Sequence, residues 1–203
     1  MFAKLTLPML VLCAVAFGGC VTIPVQFKVG DQVFNTKDEA LAQQKTLHAA
    51  YLADIMPLNK PVAGNALLVC ASKELLYNKG IKYTSGNRSL VSQVQKDWLV
   101  EHSMIDNEFF VSAMKKRGVF NHVDFQRSAT PEETDIGQYD CLIYYRYIAE
   151  GVGQWYVRTK HDPIPKPWDW GLTASDIGSV RIIKICDSIM PYIIGNSRNQ
   201  DRR

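Results

Sequence analysis

The chain has 203 residues, of which 47% are hydrophobic and 21% are charged, and its formal net charge is +3. This is enough apolar sequence for one domain with a proper core. Because the charge is nearly balanced and no basic block is present, nucleic-acid binding is excluded from the expected functions. No internal repeat, low-complexity tract or second-domain linker divides the sequence.

The N-terminus has the pattern of a secretory signal. Lys4 precedes an uncharged apolar run over residues 5–17, which is shorter than the about 20 apolar residues that cross a bilayer. A run of this length that ends in small residues is typical of a signal peptide. The run leads directly to Gly18-Gly19-Cys20. This ending resembles the lipobox of bacterial lipoproteins, in which the cysteine thiol receives a diacylglycerol and the peptide is cleaved just before it.

The lipobox resemblance implies a signal peptide over residues 1–19 and a lipid anchor on Cys20. The alternative is an ordinary signal peptide whose cleavage site falls near a cysteine. Val21 follows the cysteine, in place of the aspartate that commonly retains enterobacterial lipoproteins at the inner membrane. By that resemblance we expect the protein at the periplasmic face of the outer membrane. The acyl chains on Cys20 would hold it in the bilayer, at about 0.8 kcal/mol for each buried CH₂.

The rest of the sequence predicts one folded domain, with an extended segment before it and a polar tail after it. Residues 20–35 are expected to be the lipidated N-terminus and an extended tether, with a turn at Gly30-Asp31. Residues 36–195 are expected to form a single α/β domain in the periplasm. Residues 196–203 are expected to be a polar C-terminal tail.

The domain is predicted to begin with a helix and a strand. Thr36 and Glu39 form a capping box at the start of the helix, and Pro57 follows its end. The apolar run over residues 66–71 is the first strong strand. In the next thirty residues the apolar positions follow neither the helical nor the strand period cleanly. Within them, "ELLYNKGIKY" is either a hairpin or a helical turn capped by Gly80.

A clearer helix is predicted over residues 104–117, with basic residues in its last turn and Gly118 placed to close it. Thr130, followed by Pro131, has the pattern of a helix start. The strands predicted for this half of the chain cover residues 119–126, 139–151, 154–160 and 179–186, and the proline-rich segment 161–172 is predicted to be irregular. Together these elements predict an α+β fold, a two-layer sandwich with helices on one face of a mixed, mainly antiparallel sheet.

The segments "FFVSAMKKRGVFNHVDF" and "TDIGQYDCLIYYRYIAEG" carry a further resemblance, which covers about residues 101–150. A helix that ends in a basic residue, a strand, a short connection and an aspartate before a long apolar strand is similar to small periplasmic α/β domains of outer-membrane lipoproteins. Examples are the activators of penicillin-binding proteins and the curli-secretion lipoproteins. Asp140 and the strand to Ile148 match that pattern, and Cys141 replaces the usual tyrosine. The resemblance implies a fold and not a particular partner.

Cysteine usage fits an envelope protein without fixing its redox state. Of the 5 cysteines, one lies in the signal and Cys20 is the expected lipidation site. Cys70, Cys141 and Cys186 remain, each in a strand-like run. We expect three buried thiols, because free cysteine is among the most buried residue types. One disulfide with a spare thiol is the alternative.

No catalytic or metal-binding motif is recognisable in the sequence. His48 lies among polar residues of the first helix and is expected to be solvated. His122 and Asp124 share one face of a strand, as two metal ligands could, but no third ligand is near in sequence. His161-Asp162 is best explained as a turn. No G-x-S-x-G or glycine-rich phosphate loop is present. We therefore expect no enzyme activity, no catalytic residue, no metal and no cofactor beyond the lipid on Cys20.

The aromatic segment "QWYVRTKHDPIPKPWDWGL" is the most distinctive part of the chain. Large aromatic side chains with interleaved cations are common at protein interfaces, and rigid aromatic faces also stack on sugars. The residues predicted to form a partner or glycan surface are Trp155, Arg158, Lys166, Trp168 and Trp170. Alternatively, the rings fold back and cap the edge of the sheet.

The sequence therefore predicts a membrane-anchored, non-enzymatic binding or assembly factor of the cell envelope. Its expected partners are the bilayer, through Cys20, and an envelope protein or peptidoglycan. Binding of glycan through the tryptophan segment 163–171 is the first alternative. A periplasmic hydrolase with an unrecognised site is the second.

Overall fold

The computed structural model describes residues 26–80, 92–149, 152–173 and 175–194 of the chain. The helices are α1 (Lys37–Asp54), α2 (Lys73–Leu75), α3 (Gln93–Arg117), α4 (Gly178–Asp187) and α5 (Met190–Ile194). The strands are β1 (Phe27–Val29), β2 (Gln32–Phe34), β3 (Ala63–Ala71), β4 (Phe120–Ser128), β5 (Cys141–Ala149), β6 (Val152–Thr159) and β7 (Lys166–Pro167). Within the described ranges, no helix combines the length and the apolar character that crossing a membrane requires. The predicted signal peptide, Cys20, Gly151 and the tail 196–203 lie outside these ranges.

The main sheet has five strands in the order β4-β3-β5-β6-β7. Strand β3 is parallel to both β4 and β5, whereas β6 is antiparallel to β5 and to β7. The α+β class and the mixed sheet are confirmed, but two of the four pairings are parallel, so the sheet is not mainly antiparallel. The long helix α3 provides the crossover that parallel strands need between β3 and β4. A sequence read element by element does not show which distant strands pair.

The helices cover one face of this sheet, as the two-layer prediction requires. Alternate residues of β3 divide between the two faces: Ala66, Leu68 and Cys70 join the core beneath α3 and α4. Leu67 and Val69 point the other way. Side chains of the connection between β4 and β5 pack against that second face.

The predicted final strand over residues 179–186 is wrong, because this segment is helix α4. Its isoleucines favour a strand by composition, but their spacing is helical. Ile182, Ile185, Cys186 and Ile189 follow the i, i+3, i+4, i+7 pattern and pack in the core under the sheet. Periodicity should have been given more weight here than β-branched content.

The prediction of an extended tether is wrong for residues 27–34. The turn at Gly30 is confirmed, but the residues on either side form the hairpin β1–β2. Phe27 and Val29 are buried together with Ala40 of α1. The described fold therefore includes this hairpin, and its first strand belongs to a small cluster with α1 and α3.

The prediction that residues 161–172 are irregular is wrong at Lys166–Pro167, which form strand β7 because they pair with β6. Most of the remaining predictions agree with the structure except at the ends of elements. Helix α1 is capped by the Thr36 side chain, which accepts from the Glu39 amide, so only this half of the predicted capping box is present. Helix α3 ends at Gly118 as predicted, and the φ of this glycine, 70°, is left-handed. Helix α3 begins earlier than predicted, at a capping box formed by Ser92 and Gln95. Residues 76–80 form a π-helical turn, which settles the described part of "ELLYNKGIKY" in favour of a helical turn. Thr130 precedes a 3₁₀ turn, but its side chain makes no capping hydrogen bond.

Candidate binding cleft

The proline-rich segment after β6 is held by hydrogen bonds on two sides. On one side, strand β7 pairs with β6, and the Trp168 amide donates to the Trp155 carbonyl at 2.8 Å. On the other side, the Tyr192 hydroxyl donates to the Pro167 carbonyl at 2.9 Å and accepts from the Asp169 amide at 2.9 Å. The prolines also restrict the backbone of the segment. The tryptophans of this segment are therefore held on a defined backbone.

Four aromatic rings line a concave site beside this segment, which we call the aromatic cleft. Its rings are Tyr145, Trp155, Trp168 and Trp170, and its volume is about 470 Å³. Neighbouring rings stand nearly perpendicular: the interplanar angle is 70° for Tyr145 and Trp155, 81° for Trp155 and Trp168, and 80° for Trp168 and Trp170. Ligand pockets have volumes of about 300–1,000 Å³ and are lined mainly by apolar and aromatic groups. The cleft has the size and lining of a binding site.

The four rings differ in how much they contribute to the core. Trp155 and Trp168 are only 8% and 3% exposed, and both pack on Phe110 of α3. The Trp168 indole donates to the Ser188 hydroxyl at 2.8 Å. Trp170 is only partly buried, and its indole N–H has no hydrogen-bond partner among the described residues. Trp155 and Trp168 therefore support the cleft, whereas Trp170 is free to contact a ligand.

A glycine creates the space for Tyr145. A Cβ at Gly153 would lie 2.4 Å from the Tyr145 hydroxyl oxygen, so the ring lies directly over the glycine. Tyr147 is the strand partner of Gly153, and Tyr145 pairs with Trp155. Gly153 therefore determines where one wall of the aromatic cleft stands.

Asp169 supplies a charged group at the cleft. Its Oδ1 atom accepts a hydrogen bond of 3.0 Å from the Gly171 amide, and Gly171 takes a left-handed φ of 56° to close this turn. Among the described residues, nothing donates to the other carboxylate oxygen, Oδ2. Asp169 is exposed, so this oxygen can accept a hydrogen bond from a ligand.

The structure brings together three of the five residues that the sequence predicted for a binding surface. Trp155, Trp168 and Trp170 line the cleft, but Arg158 and Lys166 do not. Strand alternation places Arg158 on the opposite face of the sheet, where it donates to the Thr134 carbonyl at 2.6 Å. Lys166 pairs with Asp162 in the turn before β7. The mixture of aromatic and cationic side chains seen in the sequence is therefore divided between different surfaces.

Sequence reasoning missed several residues of the cleft, among them Tyr145, Asp169 and Gly153. Tyr145 shares a strand face with Cys141 and Ile143, which the period of two could have indicated. Asp169 lies between two tryptophans in the sequence. Gly153 falls between the two strands predicted over residues 139–151 and 154–160, and its contact with Tyr145 depends on a strand register that the sequence does not show.

A polar cluster between α1 and α3 was also missed. Asp106 lies 3.2 Å from His48 Nε2 and 3.2 Å from His102 Nδ1, and accepts a 2.6 Å hydrogen bond from Gln44. The prediction of a solvated His48 is wrong: its side chain is 15% exposed, and the ring stacks on Phe109 at 4.1 Å. The helical spacing of Gln44 and His48 would have placed both on one face of α1.

The electrostatics of Asp106 combine two opposing effects. Desolvation raises the pKa of this carboxyl, but hydrogen bonds from His102, His48 and Gln44 outweigh it. The net pKa lies well below its ordinary value, so Asp106 is charged at neutral pH. Asp106 also borders a second cavity of about 160 Å³.

The other histidine pairs have structural contacts. His122 Nε2 lies 2.9 Å from Asp124, whose second oxygen accepts from the Tyr139 hydroxyl at 2.7 Å. Asp162 forms the predicted turn, since its amide donates to Thr159. In the part of the chain that the structure describes, no group of three or more His, Cys, Asp or Glu side chains could hold a metal ion.

The three cysteines of the domain are buried free thiols: Cys70 and Cys141 lie on strands and Cys186 on α4. Burial raises the pKa of each thiol to about 12. Protonated, buried thiols are unreactive at neutral pH. The sequence left two alternatives, three buried thiols or one disulfide with a spare thiol, and the structure contains the three thiols.

Asp140, which the resemblance singled out, has a structural role here. Its carboxylate accepts from the Asn65 amide at 2.8 Å, and its backbone pairs with Asn65 and Lys160. A Cβ at Gly64 would come within 2.0 Å of this carboxylate. The aspartate therefore ties the beginning of β5 to β3 and to the end of β6.

Comparison with protein-family models, curated proteins and solved structures found no match for this chain.

Proposed function

We propose that this chain is a lipid-anchored, non-enzymatic binding protein of the bacterial cell envelope and that the aromatic cleft is its binding site. The observation that carries the proposal is the cleft, in which Trp170 and Tyr145 stand beside a free carboxylate oxygen of Asp169. Partly exposed aromatic rings in a concave, pre-formed site are typical of ligand recognition. The buried rings of Trp155 and Trp168 hold this surface in place.

The anchor in this proposal rests on the N-terminal sequence. The run over residues 5–17 and the Gly-Gly-Cys ending support lipidation of Cys20, and Val21 supports placement at the periplasmic face of the outer membrane. Cells that make the full chain should incorporate labelled palmitate into it. The Cys20→Ala variant should not, and a variant that keeps the label would contradict the anchor.

The cleft is tested by capture of partners from envelope extracts. The bait is soluble residues 21–203, which include every described element. Trp170→Ala removes an aromatic contact, and Ile164→Ala is the matched control, because Ile164 is 70% exposed on the same segment and does not line the cleft. A partner held by the wild type and the control but lost by Trp170→Ala supports the proposal. Equal capture by all three baits would place the interface elsewhere.

A periplasmic hydrolase is a second candidate because of the Asp106 cluster. Two histidines contact one carboxylate that borders a cavity, an arrangement in which an acid orients a base. The Ser103 hydroxyl at this cavity donates to the Leu99 carbonyl at 2.8 Å. Release of soluble fragments from purified envelope material by the wild type, with loss in Asp106→Asn, would favour this candidate over the first.

A further inference from the structure

A second cavity lies next to the aromatic cleft and shares two lining residues with it. The smaller cavity of about 160 Å³ lies between α3 and the far end of β5, and Asp106 and Tyr147 contribute to its lining. Tyr145 and Trp155 line both cavities. We call the two cavities together the groove. Tyr145 and Tyr147 are 5.0 Å apart with perpendicular rings, so aromatic surface extends from Tyr147 to Trp170. The site is therefore longer than the aromatic cleft alone.

The charged side chains that line the groove are all acidic. Among the described residues, its lining contains two carboxylates, Asp106 and Asp169, and no lysine, arginine or histidine. Neutral polar groups are also present, namely Gln154, Ser103 and Asn107. An anionic ligand would meet like charge here, whereas an uncharged or positively charged ligand would not. Charge complementarity therefore excludes acidic chains from the expected ligands.

The lining of the groove combines aromatic rings with hydrogen-bonding groups. A sugar unit has the matching chemistry, because a face of C–H groups and a rim of hydroxyl donors belong to the same ring. Trp170 and Tyr145 offer aromatic surface, and the free Oδ2 of Asp169 accepts hydroxyl hydrogen bonds. The indole N–H of Trp170 is buried and has no acceptor among the described residues, so what Trp170 offers a ligand is the exposed part of its ring.

We propose that the groove binds an uncharged or amine-bearing glycan chain of at least two sugar units. One unit stacks beside Trp170 and bonds Asp169, and the next lies across Tyr145 toward the smaller cavity. This inference rests on the proposed function and names the ligand class of the same site. A peptide partner is the other outcome that the test distinguishes.

The test is calorimetric titration of soluble residues 21–203 with oligomers of N-acetylglucosamine of one to four units. Affinity should rise at least about tenfold from the single sugar to the trimer, since the longer chain contacts both cavities. Oligogalacturonate of the same length, which carries a carboxylate on each ring, should bind at least about tenfold more weakly because of Asp106 and Asp169.

Two variants locate the site, and one serves as control. Trp170→Ala should lower the affinity for the trimer about tenfold or more. Asp169→Asn should lower it about tenfold while keeping the acceptor for the Gly171 amide, so the turn remains. Ile164→Ala should bind like the wild type. A thermal unfolding midpoint for each variant shows that binding is compared between folded proteins.

Three results would overturn the inference: no binding of any neutral oligomer at millimolar concentration, affinity independent of chain length, or equal affinity in the wild type, Trp170→Ala and Asp169→Asn. If the oligomers fail but the envelope extract yields a protein that Trp170→Ala loses, the binding function stands and the ligand is a protein. If both experiments fail, the proposed function falls as well.

Discussion

Replacement of Trp168 by alanine should destabilise the domain rather than act only on binding. The side chain is 3% exposed and packs against Phe110, Trp155 and Trp170, with ring centroids 5.7–6.5 Å away. Truncation of a buried tryptophan to alanine costs about 3–5 kcal/mol, because the transfer energy is lost and a cavity remains. The hydrogen bond to Ser188 adds about 1 kcal/mol. A loss of about 4–6 kcal/mol is a large fraction of a typical stability of about 5–15 kcal/mol.

Urea unfolding followed by circular dichroism measures this loss without depending on tryptophan fluorescence. With a slope of about 2 kcal/mol per M, the midpoint of Trp168→Ala should fall by about 2–3 M. Trp168→Phe keeps a ring and loses the bond to Ser188, so its midpoint should fall by about half as much or less. Trp170→Ala should cost clearly less than Trp168→Ala, since Trp170 is only partly buried. Equal losses for the two alanine variants, or a loss below about 1 kcal/mol for Trp168→Ala, would refute this division of roles.

Three further predictions follow from the same structure. Asp106→Asn should lower stability at neutral pH by about 0.5–1 kcal/mol, discounted because the Asp106 side chain is 49% exposed. The folded-state pKa of Asp106 is depressed below 3.8, so the stabilisation by the charged carboxylate is present above that pH and is lost as the pH falls further. The melting temperature of the wild type should therefore approach that of the variant below about pH 3. Melting temperatures of the two proteins that stay parallel from pH 7 to 2 would contradict this. The three thiols of soluble residues 21–203 should resist a disulfide reagent at pH 8 until urea unfolds the chain, whereas rapid reaction of a thiol in the native protein would show that it is accessible. Gly153→Ala should displace the Tyr145 ring and lower the melting temperature, and the same change in a Tyr145→Ala background should cost less; equal costs in the two backgrounds would mean that the ring does not lie over the glycine.

The sequence predicted the fold best where a local signal decides the outcome. Thr36 and Gly118 mark helix ends because capping and a left-handed φ are local properties. The segment 179–186 was misassigned because β-branched composition and helical spacing point in opposite directions there, and packing under the sheet favours the helix. The hairpin at Phe27 was missed because its strands are short and gain stability from contact with α1.

The cleft was only partly predictable for a different reason. The tryptophans stand out by residue type, so Trp155, Trp168 and Trp170 could be selected from the sequence. Their separation from Arg158 follows from strand alternation once β6 is known. The contribution of Tyr145 and Gly153 depends on the register between β5 and β6, and the meeting of His48 with Asp106 depends on how α1 packs against α3. Neither of these tertiary contacts can be predicted from a short stretch of sequence.

The most direct test of the binding site is photocrosslinking in the envelope of cells that make the full chain. A photoreactive phenylalanine derivative in place of Trp170 keeps an aromatic ring at the cleft, and the same group in place of the exposed Ile164 serves as the control on the same segment. Mass spectrometry of the purified protein after illumination reports any adduct and its mass. We expect a discrete adduct, glycan or protein, from position 170 and not from position 164. No adduct at either position, or the same adduct at both, would contradict the claim that the aromatic cleft is where this protein binds its partner.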